Sequence, residues 1–196
     1  MPVNRSVPDV AQKRKDWNGL ISGFKASDLV FLDESGCNTD MTRRYAYSLG
    51  GSRAVDSAPL SKPKNTTILS SIQLDGTLRY MTFSGGTTVE RFKRYLETDL
   101  LPHLNGNSVL IMDNMKSHHA KAVKNLLDSS RIRYIYLPPY SPDLNPIEKL
   151  WSKVKAFLRK FKARTLDALP NAIQNAFHSV TVSDCSGWFR FCGYAL

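Results

Sequence analysis

Residues 66–83, TTILSSIQLDGTLRYMTF, hold two runs of strand length on either side of Asp75-Gly76. Both residues of that step tolerate positive φ, and Asp-Gly between two such runs is a strong short-range hairpin signal. An antiparallel strand pair is expected here, and what flanks it decides the architecture. Upstream, DLVFLDES (28–35) is a compact apolar run ending in acids, the pattern of a strand buried on both faces. Downstream, residues 87–104 place Thr87 and Glu90 in capping-box spacing and repeat Val89, Phe92, Leu96 and Leu100 at helical intervals. SVLIMDN (108–114) is another short buried strand, ending in Asp113. SHHAKAVKNLLDSS (117–130) reads as a helix with Ala120, Val123 and Leu127 inward, and RIRYIYL (131–137) as a third buried strand.

The next stretch, LPPYSPDLNPIEKLW (137–151), packs Pro138, Pro139, Pro142 and Pro146 ahead of a helical pattern. Ile147, Leu150, Trp151, Val154, Phe157, Leu158 and Phe161 form one stripe, while Ser152, Lys155 and Arg159 continue the Glu148 side, so Glu148 borders solvent. A further helix is expected over LDALPNAIQNAFHSV (166–180), with Pro170 at its start, and an aromatic tail follows. The segment around QKRK (12–15) reads as a short helix or linker. Residues 37–64 read as a long basic loop with a small strand near Tyr45 and Tyr47. Strand, hairpin, helix, strand, helix, strand, helix is the order of an α/β domain, an RNase H-like mixed sheet of five strands flanked by helices.

The chain of 196 residues suits one ordinary domain with a short extension. Its 27 basic and 17 acidic residues give a net charge of +10, which favours a polyanionic partner, nucleic acid first; a merely soluble basic protein is the plain alternative. Cys37, Cys185 and Cys192 form no CxxC pair and no cysteine–histidine ligand spacing, so neither a zinc site nor a disulfide framework is indicated. No apolar run approaches the roughly 20 residues needed to span a bilayer, and no signal-peptide core is present. A cytoplasmic location is expected, nucleoid-associated in a bacterium.

Asp33 and Asp113 each follow an apolar strand, and ligands of open α/β sheets gather beyond the carboxyl ends of strands. Two acids at neighbouring strand ends repel each other, and a hard divalent cation between them relieves that repulsion. Taken singly, each has a plainer use. An Asp at a strand end is commonly a turn or cap residue, and Asn145 as N-cap, Pro146 at N1 and Glu148 at N3 make a capping-box-like helix start. Glu34 is turned away from Asp33 by strand alternation, and Asp143 suits an Asx-turn; both are expected in supporting roles.

Together the three blocks FLDESG, MDNMKSH and YSPDLNPIEKLW are far more specific, with 148 − 113 = 35, or 34 intervening residues. They resemble the DDE nuclease domain of mariner-like transposases and their bacterial insertion-sequence relatives, over roughly residues 28 to 165. The resemblance implies that Asp33, Asp113 and Glu148 are a catalytic triad binding Mg2+, with Mn2+ able to substitute. Asn114 and His118 match the family's DN…H pattern as accessory candidates; His118 could equally be a structural hydrogen-bonding residue. It also implies a DNA endonuclease and strand-transfer enzyme. Water first cuts transposon ends, then the freed 3′-OH attacks target DNA through the same site.

Arg43, Arg44 and Arg53 in the long loop and Lys153, Lys155 and Arg159 on the last helix are candidates for phosphate contact, against a solvated charged face. The expected division is a basic linker or helix at 1–27, the catalytic domain at 28–180 and the aromatic tail at 181–196. Family members carry a helix-turn-helix region that reads the transposon ends, and about 27 residues precede the first strand here. The expectation is therefore the second frame of a split transposase with a helix-turn-helix partner product, or a truncated remnant, acting as a homodimer on DNA. Two rivals stand beside it: an RNase H-like nuclease on other substrates, such as RNA–DNA hybrids or branched DNA, and a non-catalytic DNA-binding regulator.

Overall fold

The computed structural model describes residues 8–43, 45–57 and 63–194. Five strands, β1 (Leu29–Cys37), β2 (Thr66–Gln73), β3 (Leu78–Ser84), β4 (Val109–Met112) and β5 (Arg133–Tyr136), form one sheet in the order β3-β2-β1-β4-β5. β2 pairs antiparallel with both β1 and β3, whereas β4 runs parallel to both β1 and β5. The sheet is thus mixed, an antiparallel hairpin joined to two parallel crossovers, as the order of the apolar runs requires.

Helices cover both faces: α1 (Pro8–Ile21), α2 (Val89–Tyr95), α3 (Lys121–Ser130), α4 (Ile147–Phe161), α5 (Leu169–His178) and α6 (Val182–Phe191). Side-chain alternation along β1 divides the core in two. Val30 and Leu32 pack with Phe92, Tyr95, Leu110, Met112, Val123 and Leu127 under α2 and α3. Leu29 and Phe31 pack on the opposite face with Ile111, Leu150, Trp151, Val154, Ile173 and Phe189. Burial on both faces explains why these strands read as continuous apolar runs.

The hairpin turn is longer than a two-residue loop, since residues 74–77 separate β2 from β3. Only Gly76 takes positive φ, at 88°. Asp75 instead uses its carboxylate, accepting the Thr77 N–H at 2.8 Å. The start of α2 is also displaced: Thr88, not Thr87, is the N-cap, its side chain accepting from Arg91 N. That helix passes through a π turn at Leu96–Leu100 and a 3-10 turn at Leu101–His103.

Among the described residues no strand forms near Tyr45 and Tyr47, whose side chains are exposed. The loop is instead tied down from the far side by Arg164, which donates to the carbonyls of Thr39, Met41 and Ser57. α1 and α6 contribute to the same core as the sheet, through Trp17 and through Cys185 and Phe189.

Candidate active site

The register between β1 and β4 pairs Leu32 with Met112, so Asp33 and Asp113 are the residues that follow this last pair. β4 stops at Met112, but β1 continues to Cys37, paired only with β2. Asp33 therefore lies within a strand rather than at its end, a correction to the sequence reading. It sits where β1 loses its β4 neighbour, which opens one side. Asp33 shares a face with Phe31, and α4 packs on that face with Glu148 in its first turn. Asp33, Asp113 and Glu148 together line a cavity of about 480 Å3.

Burial and neighbouring groups together set the charge state of these acids. Asp33 is 9% exposed, and burial pushes its carboxyl up to about 7, with Asp113 and Glu148 raising it further and the Glu34 backbone and Trp151 opposing. Trp151 belongs to the apolar stripe of α4, yet its Nε1 donates to Asp33 Oδ2 at 3.1 Å. Glu148 is also raised, by burial first and by Asp113, with Lys155 pulling it back. Burial raises Asp113 too, but hydrogen bonds from His118 and the Met115 N–H and the His118 charge outweigh it, so Asp113 lies below its ordinary value.

His118 is fully buried between two carboxylates. Its Nδ1 lies 2.8 Å from Asp113 Oδ1, its Nε2 lies 3.3 Å from Glu34 Oε2, and its ring stacks on Phe92 with centroids 4.2 Å apart. The Glu34 contact is an ion pair without the alignment of a hydrogen bond. Burial pushes the imidazole down, but its contacts with Asp113 and Glu34 prevail and lift it to about 9. Alternation along β1 explains Glu34: it faces the α2 and α3 side, where His118 stacks on Phe92. Asn114 lines the cavity and donates through Nδ2 to Leu137 O, tying the end of β4 to the end of β5.

The proline segment forms the rest of the cavity wall, through Leu137, Pro138, Pro139, Tyr140, Ser141, Pro142 and Asn145. It is fastened from outside. Arg14 of α1 donates to Ser141 Oγ at 2.7 Å and grips the Asp143 carboxylate through both NH groups, and Tyr194 donates to Leu144 O. Asp143 thus carries an ion pair inside a 3-10 turn, Pro142–Leu144. Asn145 has the extended backbone of a cap residue with Pro146 already helical after it, and its carbonyl accepts from the Glu148 N–H, but its side chain makes no capping bond: Asn145 Oδ1 is buried without a hydrogen-bond partner.

The basic candidates separate into groups. Lys153 is ion-paired with Asp184 at 2.5 Å, at the capping box of α6, so its charge is engaged within the fold. Lys155 and Arg159 line a cleft of about 320 Å3 with residues 36–38 and 40–42. Arg43 and Arg53 are exposed on the long loop, and Arg43 borders a second cleft with Lys160 and Lys162. Arg44 lies outside the described residues.

Among the described residues no three His, Cys, Asp or Glu side chains already converge as a metal cluster. The three acids share a cavity wall rather than a closed cage, as like charges favour. The donor set nonetheless suits a hard divalent cation: carboxylate oxygens on one recess that holds Asp33 partly neutral.

Comparison with known proteins bears on the family and the fold. Over 97 residues the chain is 28% identical to the Tc1 transposase of Caenorhabditis elegans, covering 47% of this chain and 36% of that protein. It therefore spans little more than a third of the length of that relative. Among solved structures it is similar to the Mos1 transposase in a paired-end complex with its left transposon end, with a TM-score of 0.81 at 18% identity over 97% of this chain and 60% of that one. The separate catalytic domain of Mos1 mariner transposase gives a TM-score of 0.74 at 16% identity, over 97% of this chain and 91% of that one. These two likenesses show the fold. The model of one family, described as DDE superfamily endonuclease, matches residues 28–170, most of the chain and all three acids, and the chain belongs to that family.

Proposed function

We propose that this chain is the catalytic part of a transposase: a metal-dependent DNA endonuclease and strand-transfer enzyme that cuts transposon ends and joins the freed 3′-OH to target DNA. The observation that carries this reading is the meeting of Asp33, Asp113 and Glu148, from β1, the end of β4 and the first turn of α4, on one cavity. Asp33, Asp113 and Glu148 would hold Mg2+, with Mn2+ able to substitute. Mos1 paired-end complexes with Mn and with Mg support that choice. When bound, such cations activate an attacking oxygen and stabilise the leaving oxygen of an in-line displacement at phosphorus.

The chain's own residues position the ligands. Trp151 fixes Asp33 through one oxygen, and His118 with the Met115 N–H fixes Asp113 through its Oδ1. For Asp113 these contacts fall on Oδ1 and leave Oδ2 outside them. The proline segment restricts the backbone before α4, so Glu148 is placed at little entropic cost on folding. A slip of one helical turn would carry its carboxylate about 5.4 Å along the axis, more than the roughly 3.5–4 Å between ions of a two-metal site.

DNA is the partner this reading requires, bound as a homodimer, with a helix-turn-helix partner supplying end recognition; the Mos1 complex with its transposon end supports the first of these. Incubation with terminal-repeat DNA and Mg2+ or Mn2+, with any helix-turn-helix product supplied, should give end cleavage and strand joining, and EDTA should abolish both. Hydrolysis of RNA–DNA hybrids without joining would contradict the transposase reading, and so would binding without any nicking.

The free and paired charges support a strand path along α4. Lys155 and Arg159 continue the Glu148 face of α4, whereas Lys153 is already paired. Lys155→Ala with Arg159→Ala should weaken DNA binding and lower the slope of log K against log salt by up to about 2. Lys153→Ala should leave that slope nearly unchanged and lower stability by up to about 1 kcal/mol. Fluorescence anisotropy across a salt series, with a melting curve for each variant, separates the two.

A further inference from the structure

The aromatic tail ends in a contact that core packing alone does not need. α6 closes on a glycine turn: Gly193 takes a φ of 87°, its N–H bonds to Arg190 O, and the Tyr194 N–H bonds to Phe189 O. That pair of bonds is the Schellman helix ending, which satisfies the last carbonyls and turns the chain back on itself. Tyr194 is thereby set into the core, 4% exposed, with its ring centroid 5.0 Å from that of Phe31 and 6.0 Å from that of Phe189.

Both ends of this side chain meet elements that carry the acids. The ring packs on Phe31, two residues before Asp33 and on the same face of β1. The phenol donates to Leu144 O, at the end of the 3-10 turn that leads into α4. From there to Glu148 the backbone has little freedom. Pro146 fixes its own φ, at −58°, the Glu148 N–H bonds to Asn145 O at 3.2 Å, and the Lys149 N–H bonds to Pro146 O at 3.0 Å. Arg14 grips the start of the same turn through Ser141 and Asp143, and the phenol grips its end, so a displacement of Leu144 is passed on to Glu148. A phenyl ring would fill the same space, so packing does not account for the hydroxyl.

We propose that Tyr194 is a positioning residue for Glu148: its phenol holds the Leu144 carbonyl, and with it the start of α4, against the β1 face that carries Asp33. This rests on reading the three acids as a cation site. Tyr194 acts through the backbone of residues 144–148 rather than as a ligand. Its influence on cation affinity is bounded by the worth of one neutral hydrogen bond, a factor of about five.

The test uses the whole chain. Tyr194→Phe keeps the ring and removes the donor. Titration with Mn2+ followed by electron paramagnetic resonance should show about five-fold weaker binding in this variant than in wild type. In a Glu148→Ala background the same substitution should change Mn2+ affinity no further, because the residue it positions is gone; a general loss of packing would weaken both backgrounds alike. Hydrogen exchange in EDTA supplies a readout without cation. Exchange at the Glu148 and Lys149 amides should quicken about five-fold in Tyr194→Phe, with α2 and α3 unchanged.

Equal Mn2+ affinity in wild type and Tyr194→Phe, or an equal loss with and without Glu148, would overturn the role of Tyr194 and leave the cation site standing. Absence of Mn2+ binding by wild type would remove the cation reading, and exchange then decides. Quickening confined to the start of α4 would keep Tyr194 as the residue that places Glu148, and unchanged exchange would overturn it.

Discussion

Asp33→Asn should make the protein more stable in chelating buffer, and increasingly so as pH rises. The folded chain holds the Asp33 carboxyl at about 7 against an ordinary 3.8, chiefly through burial. Between these values the folded state keeps a proton that the unfolded state has released, so stability falls as pH rises from about 4 and levels off above about 7. The displacement corresponds to about 4 kcal/mol at neutral to alkaline pH. Asparagine removes the buried charge and keeps an oxygen to accept from Trp151 Nε1. In a chain of this size about 4 kcal/mol is roughly 8–16 °C in Tm. Calorimetry in EDTA should find a large gain at pH 8, shrinking toward zero near pH 4. Added Mg2+ should then stabilise wild type and not the variant. Equal melting temperatures at pH 8 would mean that Asp33 is ordinarily solvated.

His118→Ala carries the second large effect, in the opposite direction. The imidazole is fully buried against Asp113, Glu34 and Phe92. Its removal leaves Glu34 buried opposite a void, and breaking a buried pair from one side costs about 3–5 kcal/mol. A fall in Tm on the order of 10 °C is expected. Adding Glu34→Gln should recover part of it, because the uncompensated charge goes with it. Since the His118 value is raised from 6.5 to about 9, its contribution is fully present below about 6.5 and is lost as pH rises through about 9. The gap between wild type and variant should narrow there. Melting curves of the two single variants and the double variant, across pH 6 to 10, measure all of this. A His118→Ala melting temperature within a degree of wild type would contradict the buried-pair account.

These two residues show what a sequence can and cannot convey. The strand order follows from local signals, because runs buried on both faces and a turn at Asp75-Gly76 are encoded within a few residues. The Thr88 cap is a local contact with the Arg91 N–H, one residue later than the Thr87–Glu90 spacing suggests, and the π turn follows no spacing rule. The three acids were legible because each lies beside an apolar run. Their supports were not, since Trp151 counts as core by periodicity and acts as a donor only because α4 crosses β1 at Asp33. Strand alternation turns Glu34 away from Asp33, but its partner lies 84 positions along the chain, 118 − 34 = 84, and no local pattern links them. The Arg14 grip on Ser141 and Asp143 is likewise a tertiary contact, across 127 and 129 positions. The charge of Lys153 looked available until α6 brought Asp184 to it. A run of basic residues in a sequence cannot show which charges the fold has already used.

The central claim is that side-chain oxygens of residues 33, 113 and 148 share bound divalent cations. Crystals soaked in Mn2+ test it most directly through anomalous scattering. The account predicts a peak in the cavity with carboxylate oxygens of Asp33 and Asp113 at about 2.0–2.3 Å and Glu148 completing the site, in line with hard-cation coordination. A peak elsewhere, or an empty cavity at millimolar Mn2+ with the three acids intact, would contradict it.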